Sequence, residues 1–355
     1  MRYVILPLAA GALLAAAGPA RAAEKSSRRT ALDDSIDKAL AYLARAQEGD
    51  GSWRAGGVQR NAAVTGLAVM AFLSAGHVPG EGKYGDAVEK GVRAVLKMQQ
   101  PSGVIATQAG HVMYHHGICT LMLAEVVGMT DGKLAREVKE KLQKAVNVIL
   151  KAQRTAGDPR GGWRYQVAQV NGSDISVTGW QLMALRAAKN VGCDVPADVI
   201  ERAVDYMKRS QDPGSGGFCY MPRAGRPTTA CTGTCVLGLM LCGKGKEVPP
   251  EAERAGSYLL RHLPRWGELH FYYTVYYGSQ AMFQLGGNYW AAYRQALHEA
   301  LLRNQSSAGA WQGGDVSDSR YGPAYCTSMA VLALTVEYRF LPIYQRGEEP
   351  PDRGK

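Results

Sequence analysis

Gln47-Glu48-Gly49-Asp50-Gly51-Ser52-Trp53, followed by Ala63-Val64-Thr65-Gly66-Leu67-Ala68, is the stretch on which the fold turns. An amphipathic segment, Ala39 to Ala46, runs into it, and a small-residue apolar segment runs out of it. The pattern then returns along the chain. Gln99, Gly103-Val104 and Cys119-Thr120 form the second copy, and Gln153, Gly161-Gly162-Trp163 and Val177-Thr178-Gly179-Trp180 the third. Gln211, Gly216-Gly217-Phe218 and Cys231-Thr232-Gly233 form the fourth. The fifth is degenerate, with Trp266-Gly267 and Tyr276-Tyr277-Gly278, and Gln305, Gly309-Ala310-Trp311 and Cys326-Thr327-Ser328 close the series.

Each unit holds two segments of helical period and no alternating strand pattern, with Gly, Pro, Asp and Ser collected between them. A lone helical hairpin cannot bury its apolar face, so the copies must stack on one another. Charge falls on the first helix of each unit (Lys90, Arg93 and Lys97; Lys141, Lys144 and Lys151; Arg202, Lys208 and Arg209), while the second is nearly free of it. The first helices therefore belong outside and the second inside. Six copies, with neither end resembling a polar cap, predict closure into an all-α, α6/α6 toroid over residues 30–345. Thr65, Thr120, Thr178, Thr232 and Thr327 are expected near the inner helix starts.

The chain has 355 residues and a formal charge of +10. Its charges are mixed in sign and spread along the outer helices, as in Arg136-Glu137-Val138-Lys139-Glu140-Lys141, which argues against a nucleic-acid partner. Arg2, the apolar run Val4–Ala17 and Ala20-Arg21-Ala22 read as a signal peptide over residues 1–22, predicting a secreted or periplasmic protein. No segment is apolar for the roughly 20 residues of a membrane span. Residues 346–355 read as a disordered tail. Seven cysteines cannot all pair within one chain.

The stretches Gln47-x3-Gly51-Ser52-Trp53, Gly161-Gly162-Trp163 and Gly216-Gly217-Phe218 resemble the Gln-Trp motifs of the squalene cyclase and protein prenyltransferase superfamily. The resemblance covers about residues 32 to 342 and implies a terpenoid cyclase-like toroid. The motif itself reads as structural glue, its Gln bonding exposed N–H groups at the next helix start and packing on the aromatic. Hopene-forming cyclases carry Asp-x-Asp-Asp-Thr; the nearest stretch here is Asp174-Ile175-Ser176-Val177-Thr178, in which Ser176 holds the proton-donor position. A serine hydroxyl is too weak an acid to make a carbocation. Prenyltransferase zinc is held by Asp-x-Cys and a His. Here Thr229 and Cys326 stand in for the Asp and the His, beside the matching Cys231, so no metal and no cofactor is expected. The Cys-Gly-Glu-Gln motif of complement-type thioester toroids is absent.

Aligning the inner helices sets Val64, Cys119, Val177, Cys231, Tyr276 and Cys326 in one register, with Asn61, His116, Asp174, Thr228, Tyr273 and Pro323 three residues earlier. Ala68, Leu123, Gln181, Cys235, Gln280 and Ala330 follow four residues later. Spacings of three and four share a helix face. Polar members of that face suit a lumen better than a dry interface, although buried Cys also serves as apolar filler. Candidate ligand-binding residues are thus Cys119, Trp180, Gln181, Cys231, Cys235, Tyr273, Tyr276, Gln280 and Cys326, with the aromatic run Phe271–Tyr277 as a wall that Trp180 and Tyr114 can join. The sequence reading is a central cavity holding an apolar or isoprenoid-like small molecule. Two alternatives stay open: a divergent terpene cyclase or prenyl transferase using Asp174 or His116 as acid or base, and a scaffold that binds another protein by its rim.

Overall fold

The computed structural model describes residues 30–345 apart from 58–59, 170–171 and 244–246; the expected signal segment and tail lie outside the described residues. Six helices form an inner ring: α2 (Ala62–Ser74), α4 (Val112–Val126), α6 (Ile175–Asn190), α8 (Thr229–Cys242), α10 (Phe271–Leu285) and α13 (Gly322–Leu334). Each packs on the next and α13 returns to α2, so the ring is closed. Outside it lie α1 (Ala31–Arg45), α3 (Gly85–Met98), α5 (Gly132–Ala152), α7 (Ala197–Arg209), α9 (Pro250–Arg261) and α11 (Gly287–Leu302). A single turn, α12 (Val316–Ser319), interrupts the loop before α13. There is no strand among the described residues, and the architecture is the α6/α6 toroid.

The two rings differ because their sequences do. Helix α7 buries Val199, Ile200, Ala203, Val204 and Met207 on one side and leaves Glu201, Asp205 and Lys208 to solvent. Helix α2 buries every residue but Ala63, having ring neighbours on two sides and an outer helix behind. Small residues make such crowding possible. A Cβ on Gly233 would lie 2.9 Å from the backbone nitrogen of Gly278, so α8 and α10 meet where neither has a side chain.

The motif residues clasp one ring to the other. Trp163 donates its ring N–H to Ile149 O of α5 at 2.8 Å, and its backbone N–H goes to Thr178 Oγ1 at 3.0 Å on α6. Trp53 with Thr65, Phe218 with Thr232 and Trp311 with Thr327 repeat the second bond. The glutamine acts differently from the expectation. Its amide donates to two carbonyls instead of accepting from N–H groups: Gln153 Nε2 reaches Gly161 O at 3.0 Å and Val199 O of the next outer helix at 2.8 Å. Burial of the loop beneath that helix leaves carbonyls, not N–H groups, in need of partners. The motif glycine takes a positive φ in all six repeats, +91° at Gly161, where a Cβ would collide with Arg202 O.

The last motif closes the circle. Gln305 Nε2 donates to Ser35 O at 2.9 Å, and Ser35 Oγ returns a bond to Gln305 Oε1 at 2.8 Å, joining the sixth repeat to the first outer helix. The segment after α13 then crosses the C-terminal end of the inner ring. Leu341, Ile343 and Tyr344 are buried there. Gln284 Nε2 donates to Tyr344 O at 3.0 Å, and Tyr344 Oη meets Tyr276 Oη at 2.6 Å inside the lumen.

Candidate functional site

The lumen is not a channel. Tyr344 rises into it from the sealed end, Tyr276 bonds Tyr344, and Trp180 stacks on Tyr276 with ring centroids 5.4 Å apart. Trp180 thereby becomes the floor of a cavity of about 560 Å³ at the other end. The N-cap residues of five inner helices line this cavity: Asn61, His111, Thr228, His270 and Tyr321. Tyr114, Tyr165, Tyr220, Tyr273 and Tyr325 join them in its wall. Leu269, His270, Asp318 and Arg320, from the loops preceding α10 and α13, also contribute. His270 adopts φ of +58°, a conformation rare for residues with a side chain, and its Nδ1 lies 2.8 Å from Ser317 Oγ.

The residues singled out by register divide into two groups. Trp180, Cys231 and Tyr273 line the cavity, as do Asn61, Val64 and Thr228 of the aligned rows. The others face elsewhere. Cys119 packs with its Sγ 3.1 Å from Ala62 O, Gln181 donates to Met113 O at 2.8 Å between α6 and α4, and Gln280 donates to Leu332 O at 3.2 Å. Cys235 and Cys326 are fully buried, and Tyr276 lies beneath Trp180. Spacing defines a face but not its bearing, and much of this face meets neighbouring inner helices. Burial pushes the thiols of Cys231 and Cys326 up to about 12. All seven cysteines are free, and no group of three His, Cys, Asp or Glu side chains suited to a metal occurs among the described residues.

The row beginning with Asn61 proves to be a capping row. Asn61, Asp174 and Thr228 each accept the N–H three residues on, at 3.0, 2.9 and 3.1 Å. Helix α4 starts about one turn early, at Val112, so Thr120 lies two turns inside it and His116 falls within the helix. His116 there takes over the clasp. Its Nδ1 accepts Ile105 N–H at 3.1 Å, and Nε2 donates to Ala145 O at 3.0 Å. Both ring nitrogens are occupied by backbone, and burial drives the imidazole down to about 4. His116 is thus a neutral structural bridge that does not line the cavity. Its neighbour His115 does line it, also held near 4 by burial and then by His111.

Asp174 is likewise behind the wall, its side chain fully buried. Oδ2 accepts Arg164 at 2.9 Å, and Oδ1 accepts Ser176 Oγ at 2.6 Å as well as Val177 N–H. Burial raises its pKa, against the pull of those donors. Ser176 and Tyr114, whose hydroxyls touch, carry this network to the surface of the cavity. Arg164 extends it to Tyr220 Oη at 3.1 Å, and Tyr220 bonds Tyr165.

The carboxylate that does line the cavity, Asp318, is one that register could not find. It lies on α12, outside the repeat, where Oδ2 accepts Tyr272 N–H of α10 at 2.8 Å. Burial raises it to about 6, Tyr272 and Arg320 pulling downward and Asp315 upward. Spacing gave scant warning of it. Sixteen residues separate the bonded Trp311 and Thr327, against 12, 15 and 14 in the equivalent pairs.

A closed toroid with one aromatic-walled pocket is the class these features define. Solved structures place it more closely. The α-1,6-mannanase of glycoside hydrolase family 76 from a Salegentibacter species superposes with a TM-score of 0.65 at 12% identity, over 87% of this chain and 99% of that one. The type II terpene cyclase MstE from Scytonema superposes with a TM-score of 0.58 at 16% identity, over 88% and 99%. Its complex with the substrate geranylgeranyl dihydroxybenzoate gives 0.57 at 16%, over 88% and 98%. The chain has the terpenoid cyclase-like toroid fold that these proteins share. No family model and no curated protein matches its sequence.

Proposed function

We propose that this toroid binds an apolar or isoprenoid-like small molecule in the cavity above Trp180. The observation that carries the reading is the wall: six tyrosines and Trp180 around about 560 Å³, within the range of small-molecule sites. A scaffold acting through its rim needs no such pocket. Glycoside hydrolysis, the chemistry of the mannanase neighbours, needs two carboxyls flanking the bond. Here Asp318 alone among the described acids lines the cavity. The neighbour that binds geranylgeranyl dihydroxybenzoate is an analogy of fold that suits the apolar reading. Export from the cell belongs to the same proposal and is checked by N-terminal sequencing of the mature protein. Trp180 supplies the binding assay. Titration with geranylgeraniol is expected to quench tryptophan fluorescence saturably, and an unchanged signal together with an empty native mass spectrum would refute binding.

A second reading, a divergent cyclase or transferase, is favoured by Asp318, which stands among tyrosines with its carboxyl raised to about 6. In that case the acid is Asp318 in place of Asp174 or His116. Incubation with isoprenoid alcohols and analysis of the extracted lipids decides it: cyclic product abolished by Asp318→Asn establishes the enzyme.

A further inference from the structure

Hydrogen-bond accounting around Ser176 fixes the polarity of one part of the cavity wall. The Asp174 carboxylate accepts from three donors: Arg164, Val177 N–H and Ser176 Oγ. Ser176 has a single hydroxyl hydrogen, and Asp174 takes it. The contact between the Ser176 and Tyr114 hydroxyls therefore closes only if Tyr114 donates. Tyr273 Oη also points its hydrogen at this turn, donating to Ser176 O at 2.9 Å. Both phenols line the cavity with their hydrogens directed into α6, and what each can offer a ligand is a lone pair.

The positive ends of the inner helices favour an anion at this end of the ring. Two of those ends are already answered from within, α6 by Asp174 and α10 by Asp318 through Tyr272 N–H. The Tyr114–Tyr273 patch is left as an acceptor surface between aromatic rings. From this we infer that the ligand carries a hydroxyl head, seated on Tyr114 and Tyr273 as a hydrogen-bond donor, with its apolar remainder along the aromatic wall. This rests on the small-molecule reading above and narrows it to apolar alcohols. An ether or ketone oxygen placed on the same patch sets lone pair against lone pair and leaves buried acceptors unmatched.

The test compares geranylgeraniol with its methyl ether by quenching of tryptophan fluorescence. Wild type is expected to prefer the alcohol by about 10-fold, the effect of a single net hydrogen bond. Ser176→Ala frees the Tyr114 hydrogen to turn toward the cavity, so the ether is expected to gain affinity while the alcohol holds. Tyr114→Phe, which keeps the ring and removes the lone pair, is expected to lower the alcohol alone. Should Ser176→Ala fail to fold, judged by circular dichroism, Tyr114→Phe carries the test. Equal binding of alcohol and ether to wild type overturns the inference and leaves the small-molecule reading standing. Binding of neither removes both.

Discussion

The two ends of the inner ring each bury a carboxylic acid, Glu125 at one and Asp318 at the other, and raise it to different degrees. At the sealed end Glu125, 1% exposed, sits under the C-terminal segment, its Oε2 receiving Ile343 N–H at 3.4 Å. Burial pushes it to about 8, Ile343 pulling the other way. At the open end Asp318, 2% exposed, faces a cavity and keeps a firmer donor in Tyr272 N–H, and its value is about 6. Deeper enclosure with a longer hydrogen bond thus separates an acid that is neutral at pH 7 from one that is mostly ionised. The sealed end closes over its acid, and the open end leaves its acid on a cavity.

The largest expected effect tests the seal. Ending the chain at Thr335 removes the buried side chains of Val336, Leu341, Ile343 and Tyr344. At roughly 1.5–3 kcal/mol each, the loss is on the order of 6–12 kcal/mol, measured by urea unfolding. A truncated chain as stable as the full one would show that the segment only rests on the ring.

Glu125→Gln sharpens the contrast by its pH dependence. A carboxyl raised on folding stabilises the fold fully below its unfolded value near 4.5, and that contribution fades as pH climbs through about 8. At about 1.4 kcal/mol per pH unit, wild type is expected to lose on the order of 5 kcal/mol relative to the variant between pH 4 and pH 9. Urea midpoints taken across that range should cross over, the variant being the more stable in alkali. Parallel curves would place Glu125 in contact with water.

The smallest effect is at the open end. Asp318→Asn keeps an amide oxygen that can still accept Tyr272 N–H, and it is expected to gain roughly 3 kcal/mol on wild type as pH rises from 3.8 through about 6. Its signature lies in binding. Ionisation above about 6 sets a charge beside an apolar ligand, so wild-type affinity for geranylgeraniol should fall several-fold from pH 5 to pH 8. In the variant the two affinities should agree, and a persisting pH step would assign it to another group.

The ring was legible in the sequence because the clasp repeats. Gln, Gly and aromatic recur wherever an outer helix must be tied to the loop beneath it, and the intervening Thr marks the inner helices. The cavity was legible where that register carried it, at Asn61, Val64, Thr228, Cys231 and Tyr273, and where an aromatic beside the register marked it, at Trp180. Tyr114, Tyr165 and Tyr220 lie where the loops meet the inner helix starts and owe their places to Arg164, Ser176 and one another, contacts with no fixed spacing. Asp318 lies on α12, an extra helical turn in the loop before α13. His116 misled in the opposite direction: a histidine in a polar row looks like chemistry, but an early helix start had turned it into a clasp.

The bond pair between Gln305 and Ser35 has a consequence for how such a chain can change. Repeats in an open array can be gained or lost at an end, each variant only longer or shorter. In a closed circle every member turns the chain through a fixed share of a full rotation, and five or seven would leave a gap or an overlap. Duplication is barred, and only drift inside each member remains. The fifth repeat shows the result. It has no motif glutamine and its aromatic Trp266 precedes the glycine, yet α9 and α10 keep their places in both rings, held as a keystone is held by its neighbours.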